Sequence, residues 1–297
     1  MPGGVLIHLV DASVYVFRAY YSMPPDMRDA DGNPVHAVYG FARFLCDLIE
    51  RAKPEYLAVA FDRSLATSFR NQIYPAYKAN REPAPPDLML QFERCREFCS
   101  RLGVAWFDSE EFEADDIIGT LAQRMRAEGL RSTIVSRDKD LAQLIGPGDV
   151  YWDYASDQRF QYGEIEERFG VMPDRYADYL ALTGDAVDNI PGVPGIGPKT
   201  ATALMRHFAT LEDLYERVDT VRDLPLRGAA QLVERLTRHR ADAFLARQLT
   251  RIRCDIQMST TRLHLRRKNP DPADVDAFCE AQGFGALLRR QAARLGA

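Results

Sequence analysis

"VLIHLVD", residues 5–11, is an apolar run of strand length that ends on an acid. The same arrangement recurs along the first half of the chain. "YLAVAFD" spans 56–62, "GVAWF" at 103–107 is soon followed by "EFEADDIIGTLA", and "RSTIV" at 131–135 runs into "SRDKDLAQL". These runs predict strands at 5–10, 56–61, 103–107 and 131–135. Helix-period segments at 36–52, 87–101 and 113–127 separate them. A shorter pair, 149–152 and 159–161, reads as an edge hairpin. Alternation of this kind predicts an α/β fold with a central, mostly parallel sheet and flanking helices. Beyond residue 163 the pattern is almost wholly helical, broken at Pro173, Pro191 to Pro198, Pro225 and Pro270. Two units are expected, 1–165 and 166–297.

The 297 residues are 46% hydrophobic and 27% charged, ordinary for a soluble globular chain. No apolar run is long enough to cross a bilayer. "MPGGVLIHLVD" also lacks the basic and long apolar segments of a secretory signal. Cys46, Cys95, Cys99, Cys254 and Cys279 are scattered with no C-x-x-C pair, so reduced thiols and a cytoplasmic location are expected. The net charge of −5 conceals an asymmetry. Residues 189–297 carry 18 Lys and Arg against 12 Asp and Glu, a net of +6, which leaves the first 188 residues at −11. An acidic centre beside a basic surface is the expectation.

The acids gather where strands end. Asp11, Asp62, the Glu113–Asp115–Asp116 set and the Asp138–Asp140 pair follow four successive strands, and Asp185 and Asp188 add more. Ligands of open α/β sheets bind beyond the carboxyl ends of the strands. Each acid alone has an ordinary explanation as a helix cap. Together they repel one another unless protons or cations intervene. Oxygen ligands without His or Cys favour Mg²⁺ or Mn²⁺ over zinc. Two such ions, roughly 3.5–4 Å apart, can clamp both oxygens of a phosphodiester exchange. No phosphate-binding glycine loop or nucleophile triad competes with that reading.

"GDAVDNIPGVPGIGPKT", 184–200, places Asp185 and Asp188 three apart, the spacing of one helical face. It continues into a loop where Gly192, Gly195 and Gly197 permit close approach by a ligand. Pro198 suits the first turn of a following helix. A helix–loop–helix over 185–208, with Lys199 and exposed amides, fits a phosphate backbone. Residues 69–86 interleave Arg70, Tyr74, Tyr77, Lys78 and Arg81, a mixture that suits single-stranded nucleic acid.

"FRAYY" after Asp11, "FD" at 61–62, "YKANR" at 77–81, "EADD" at 113–116, "DKDLAQL" at 138–144 and "GDAVDNIPGVPGIGPKTA" at 184–201 resemble the 5′-nuclease, or flap endonuclease, family. The likeness is greatest to the 5′→3′ exonuclease domain of bacterial DNA polymerase I, and it spans essentially the whole chain. It implies a sheet core with a helical arch near 70–92 and a helix–hairpin–helix-like element. It also implies two-metal hydrolysis of branched or 5′-ended DNA. Under that resemblance Asp11, Asp62, Glu113 and Asp115 surround one Mg²⁺, for which Mn²⁺ can substitute. Asp138, Asp140 and Asp185 serve the second, with Asp116 and Asp188 acting directly or through water. Lys78 and Arg81 steady the scissile phosphate. Arg18, Arg70, Tyr74, Tyr77, Gly192, Val193, Gly195, Ile196, Gly197, Lys199 and Thr200 meet DNA, and loop 191–199 can hold K⁺. The end at Ala297 resembles a free-standing, monomeric member. A branched-DNA-binding protein without catalysis, or an RNA-directed nuclease, remain the alternatives.

Overall fold

The computed structural model describes residues 5–63 and 67–295. Six strands form one sheet: β1 (Leu6–Asp11), β2 (Tyr56–Ala60), β3 (Ala105–Phe107), β4 (Arg131–Val135), β5 (Val150–Asp153) and β6 (Gln158–Gln161). Their order is β3-β2-β1-β4-β5-β6, parallel except for the β5–β6 hairpin. β1 is central and covered on both faces, which explains a run that is apolar but for the buried His8. Its side chains still divide with period two. Val10 joins a core with Val59 and Val135, and Leu9 joins a second core with Ala58 and Ile134.

The first core is covered by α1 (Ala12–Ser22), α2 (His36–Ala52) and, after the short α3 (Phe69–Ile73), by α4 (Pro86–Arg101). α2 shows why such a helix forms. Val38, Phe41, Ala42, Leu45, Cys46, Leu48 and Ile49 fall on one stripe and are all buried. Lys53 then turns left-handed with φ 45°, its N–H bonding Ile49 O, and Pro54 prevents continuation. α5 (Ala114–Ala127) covers the second core. α6 (Tyr162–Phe169) puts Ile165 into that second core, and a third core is helical, built from α7 (Tyr176–Thr183), α8 (Pro198–His207), α9 (Leu211–Glu216), α10 (Ala229–Arg238) and α11 (Arg240–Thr250), with Phe169 at its margin.

The chain then returns to the sheet. Ile252 and Ile256 enter the α5 core, while α12 (Pro272–Ala281) and α13 (Ala286–Arg294) put Val275, Phe278 and Leu288 into the first. Two close backbone approaches fix this return. A Cβ on Gly119 would lie 2.9 Å from Arg253 O, and one on Gly103 would lie 2.3 Å from Lys268 O. The last forty-odd residues thus pack with the first unit, although their helical pattern grouped them with the second. No helix among the described residues is long and apolar enough to cross a membrane. All five cysteines are free thiols.

Candidate active site

After β1 the chain turns to β2 and β3 on one side, and β4 then joins β1's other edge. This reversal opens a crevice at the carboxyl ends of β1 and β4. The acids collect there. Asp11, Asp62, Glu113, Asp115, Asp138, Asp140 and Asp188 all line one cavity of about 550 Å³.

Asp11 closes β1 at 3% exposure, and its Oδ2 accepts from Ser136 Oγ at 2.7 Å. Burial first, and neighbouring Asp62 second, push its carboxyl up to about 7. Asp62 follows β2; its Oδ1 accepts the Ala114 N–H at 2.9 Å, at the α5 N-terminus where negative charge is favoured. Asp115, in the first turn of α5, is held well above the carboxylate range by burial and then by Asp138, Asp11 and Asp62. Asp138 caps the 3-10 helix Lys139–Leu144, accepting the Asp140 N–H at 2.9 Å. Burial, then Asp138 and Asp185, push Asp140 up to about 8.

Glu113, the N-cap of α5, behaves differently. Its Oε2 accepts from Lys78 Nζ at 2.6 Å and from Tyr77 Oη at 3.2 Å. Burial alone would raise its pKa, but the charges of Lys78 and Arg70 outweigh it and hold the group low. Lys78 also lies 3.8 Å from Asp188, whose other oxygen pairs with Arg81. Burial works against the Lys78 charge, yet Glu113 and Asp188 carry its pKa above the ordinary lysine value.

Among the described residues, no three acids close around one point tightly enough to hold a metal ion. The expected ligand shells are therefore not drawn together; the acids face a shared space, with Lys78 and Arg81 as counter-charges. The donor set nevertheless fits hard divalent cations. It is all oxygen, three of its carboxyls resist ionising together, and Glu113 Oε1 and Asp140 Oδ1 are buried without a hydrogen-bond partner.

Asp185 and Asp188 do not sit on a helix. α7 ends at Gly184, with φ 70°, and Asp185 and Ile190 close a tight turn through paired backbone hydrogen bonds of 2.9 and 2.7 Å. Asp185 Oδ1 accepts the amides of Val187 and Asp188, a local turn that competes with helix. Segment 76–81 docks on this turn. Lys78 N–H donates to Asp188 O at 3.0 Å, Asn189 Nδ2 to Ala76 O at 2.7 Å, and Asn80 Nδ2 to Ala186 O at 3.1 Å.

The helical arch expected near 70–92 is helical only in α3 and from Pro86 onward. Pro75, Pro83 and Pro85 interrupt the ladder, and Lys78 is left-handed at φ 55°. The connecting segment separates the acidic cavity from a second space of about 590 Å³, lined by Phe17, Pro75, Met89 and Phe92 and sharing Asp62, Lys78 and Arg81.

Several expected contacts have other tasks. Asp116 is fully buried, and its oxygens accept two bonds from Arg70 at 2.7 and 2.8 Å and the Arg253 N–H at 2.8 Å. It does not line the cavity and is not placed to hold a metal. Arg70, 3% exposed, also donates to Leu249 O and Arg251 O, so its fork ties α3, α5 and the end of α11 together at the edge of the acidic cavity. The Tyr77 ring lies in the helical core and offers no face for stacking; Tyr74 is half-buried beside it. Val193 and Ile196 point inward and anchor loop 191–197, whose exposed positions are Pro191, Pro194, Gly195 and Gly197, with Lys199 just beyond on α8. Gly192 is half-buried and Thr200 half-exposed; Arg18 is exposed at the cavity rim. Ser13 and Ser136 also bear on these acids. Ser13 Oγ accepts the Asp62 N–H at 2.9 Å, and each serine stands two residues from an acid, a spacing too common to signal anything alone.

The N-terminal resolvase-like domain of 5′-3′ exonucleases matches residues 6–170, and the C-terminal SAM fold of those exonucleases matches 171–273. DNA polymerase I of Rhizobium leguminosarum is 38% identical over 98% of this chain, which corresponds to 29% of that protein. The chain thus spans less than a third of that relative. The 5′-3′ exonuclease of Aquifex aeolicus is 32% identical over 89% of this chain and 88% of its own length. The bacteriophage T5 flap endonuclease, solved with DNA and metal ions, superposes with a TM-score of 0.66 at 19% identity, covering 98% of this chain and 97% of its own. At that identity the likeness establishes a shared fold.

Proposed function

The chain belongs to the 5′-3′ exonuclease family, and from that premise we propose that it is a structure-specific nuclease hydrolysing phosphodiester bonds of branched or 5′-ended DNA with two Mg²⁺ ions. The observation that carries this reading is the one cavity onto which four strand ends deliver carboxylates, with Lys78 and Arg81 paired to Glu113 and Asp188 in its lining. Asp11, Asp62, Glu113 and Asp115 would hold one ion; Asp138, Asp140 and Asp185 the other, with Asp188 contributing through water. When bound, divalent cations supply a nucleophile at neutral pH and offset charge gathering on the phosphoryl group.

The chain's own residues do the rest. Lys78, charged and in reach of Glu113, is placed to contact a substrate phosphate in place of that carboxylate. Arg81 can leave Asp188 likewise, since its side chain is a third exposed. Residues 185–208 supply the duplex grip, through the exposed amides near Gly195 and Gly197, Lys199 at the start of α8 and a K⁺ ion in loop 191–199. Residues 1–165 form the nuclease core of this proposal and the helices after 166 its DNA-binding part.

A labelled double-flap substrate tests the reading. Cleavage next to the 5′ branch that stops in EDTA and returns with Mg²⁺ supports it. Tight flap binding with no Mg²⁺-dependent product would make the chain a binding protein, and cleavage in metal-free buffer would remove the metal mechanism.

A further inference from the structure

Ser136 follows β4 directly and is fully buried, at the point where the strand order reverses between β1 and β4. Its hydroxyl donates to Asp11 Oδ2 at 2.7 Å and accepts the Asp138 N–H at 2.9 Å. One oxygen atom therefore joins the carboxylate closing β1 to the backbone that starts the "DKD" turn. A hydroxyl has one proton to give, and here it goes to the carboxylate; the amide fills its acceptor side. The arrangement fixes which way the Asp11 carboxylate faces and sets the spacing of Asp11 from Asp138 and Asp140. Register supports this, because Val10 pairs with Val135 and so places residues 11 and 136 side by side beyond the last paired rung.

We propose that Ser136 is a positioning residue for divalent-cation binding: it holds Asp11 and the 138–140 turn at the separation at which both acid groups can serve cations. The proposal rests on the two-metal reading above. Partners of this kind are worth about 10–100-fold in metal affinity. Neither Ser13, whose Oγ accepts the Asp62 amide, nor any other hydroxyl among the described residues spans the two acid groups in this way.

The test is calorimetric titration of the DNA-free protein with Mn²⁺, alongside the Mg²⁺ dependence of flap cleavage. Ser136→Ala is expected to weaken Mn²⁺ binding about 10–100-fold and to raise the Mg²⁺ concentration for half-maximal rate in parallel. Cleavage at saturating Mg²⁺ is expected to recover much of its rate. Ser136→Thr, which keeps the hydroxyl, is expected to restore affinity, and Ser136→Val, of the same volume without it, is not. Equal Mn²⁺ affinity in the Thr and Val variants would overturn the proposal, as would an alanine variant that binds Mn²⁺ like the parent. That comparison stands even if the alanine variant folds poorly. Parent protein that takes up no Mn²⁺ at all would defeat the two-metal reading itself, a result distinct from either of these.

Discussion

Asp11→Asn asks whether the acids at the head of the sheet are held against their mutual repulsion. The Asp11 carboxyl is pushed from its ordinary 3.8 to about 7, first by burial and then by Asp62. Between about pH 4 and pH 7 the folded, metal-free chain therefore keeps a proton that the unfolded chain has released. Stability contributed by this group is full below pH 4 and is lost as pH rises through 7. At about 1.4 kcal/mol for each pH unit, the loss reaches about 4 kcal/mol at pH 8. Asparagine keeps the shape and carries no charge, so in EDTA the variant should match the parent near pH 4 and exceed it by up to about 4 kcal/mol at pH 8. Asp11 shares its titration with neighbouring acids, so the gain is an upper bound. In thermal unfolding it corresponds to a rise on the order of 5–10 °C. Mg²⁺ should stabilise the parent at pH 8 and do little for the variant, which also loses cleavage. A variant less stable than the parent at pH 8 in EDTA, or a difference independent of pH, would refute the reasoning.

Arg70→Met leaves Asp116 charged, buried and without its fork; a loss of about 3–5 kcal/mol in urea unfolding is expected, and Arg70→Lys should recover only part because a lysine cannot replace the bidentate geometry. If Arg70→Met weakened DNA binding with stability unchanged, the residue would be a DNA contact after all. Lys78→Met should destabilise the metal-free protein by roughly 2–4 kcal/mol, with Arg70 softening the loss at Glu113, and should depress cleavage even at saturating Mg²⁺. Unchanged cleavage would remove Lys78 from the reaction. Gly192→Ala brings a Cβ within 2.4 Å of backbone at Thr183 and Gly184, so the loop must shift; duplex affinity should fall more than flap-independent metal binding, and an unaltered salt-dependent DNA affinity would count against the loop.

The sheet could be read from the sequence because its signal is local. Strands buried on both faces need continuous apolar runs, and "VLIHLV" and "YLAVAF" carry them whatever the surroundings. The acids at the strand ends could be read for the same reason: each follows its strand within a few residues, and topology alone brings the strand ends together. What misled was the ambiguity of Arg and Tyr. Arg70 and Tyr77 have the composition of a nucleic-acid surface, yet Arg70 on α3 and Tyr77 in the turn after it both face inward, where Asp116 and Glu113 satisfy them. Asp115 and Asp116 look equivalent in the sequence, which does not show which way successive residues of a helix face until the packing of α5 is known. Asp185 and Asp188 have helical spacing, but the positive φ at Gly184 and Asn189 and the following Pro191 make a turn. The return of residues 252–295 to the sheet has no local signature, since a helix pattern states that one face is buried without naming the partner.

The reading turns on the carboxylates around Asp11 and Asp140 holding divalent cations. Crystals soaked in Mn²⁺ and measured at the manganese edge test it most directly. The account predicts two anomalous peaks inside the cavity, one among Asp11, Asp62, Glu113 and Asp115 and one beside Asp138, Asp140 and Asp185, with Lys78 drawn away from Glu113. A cavity without anomalous signal, its Lys78–Glu113 pair intact at saturating Mn²⁺, would contradict it.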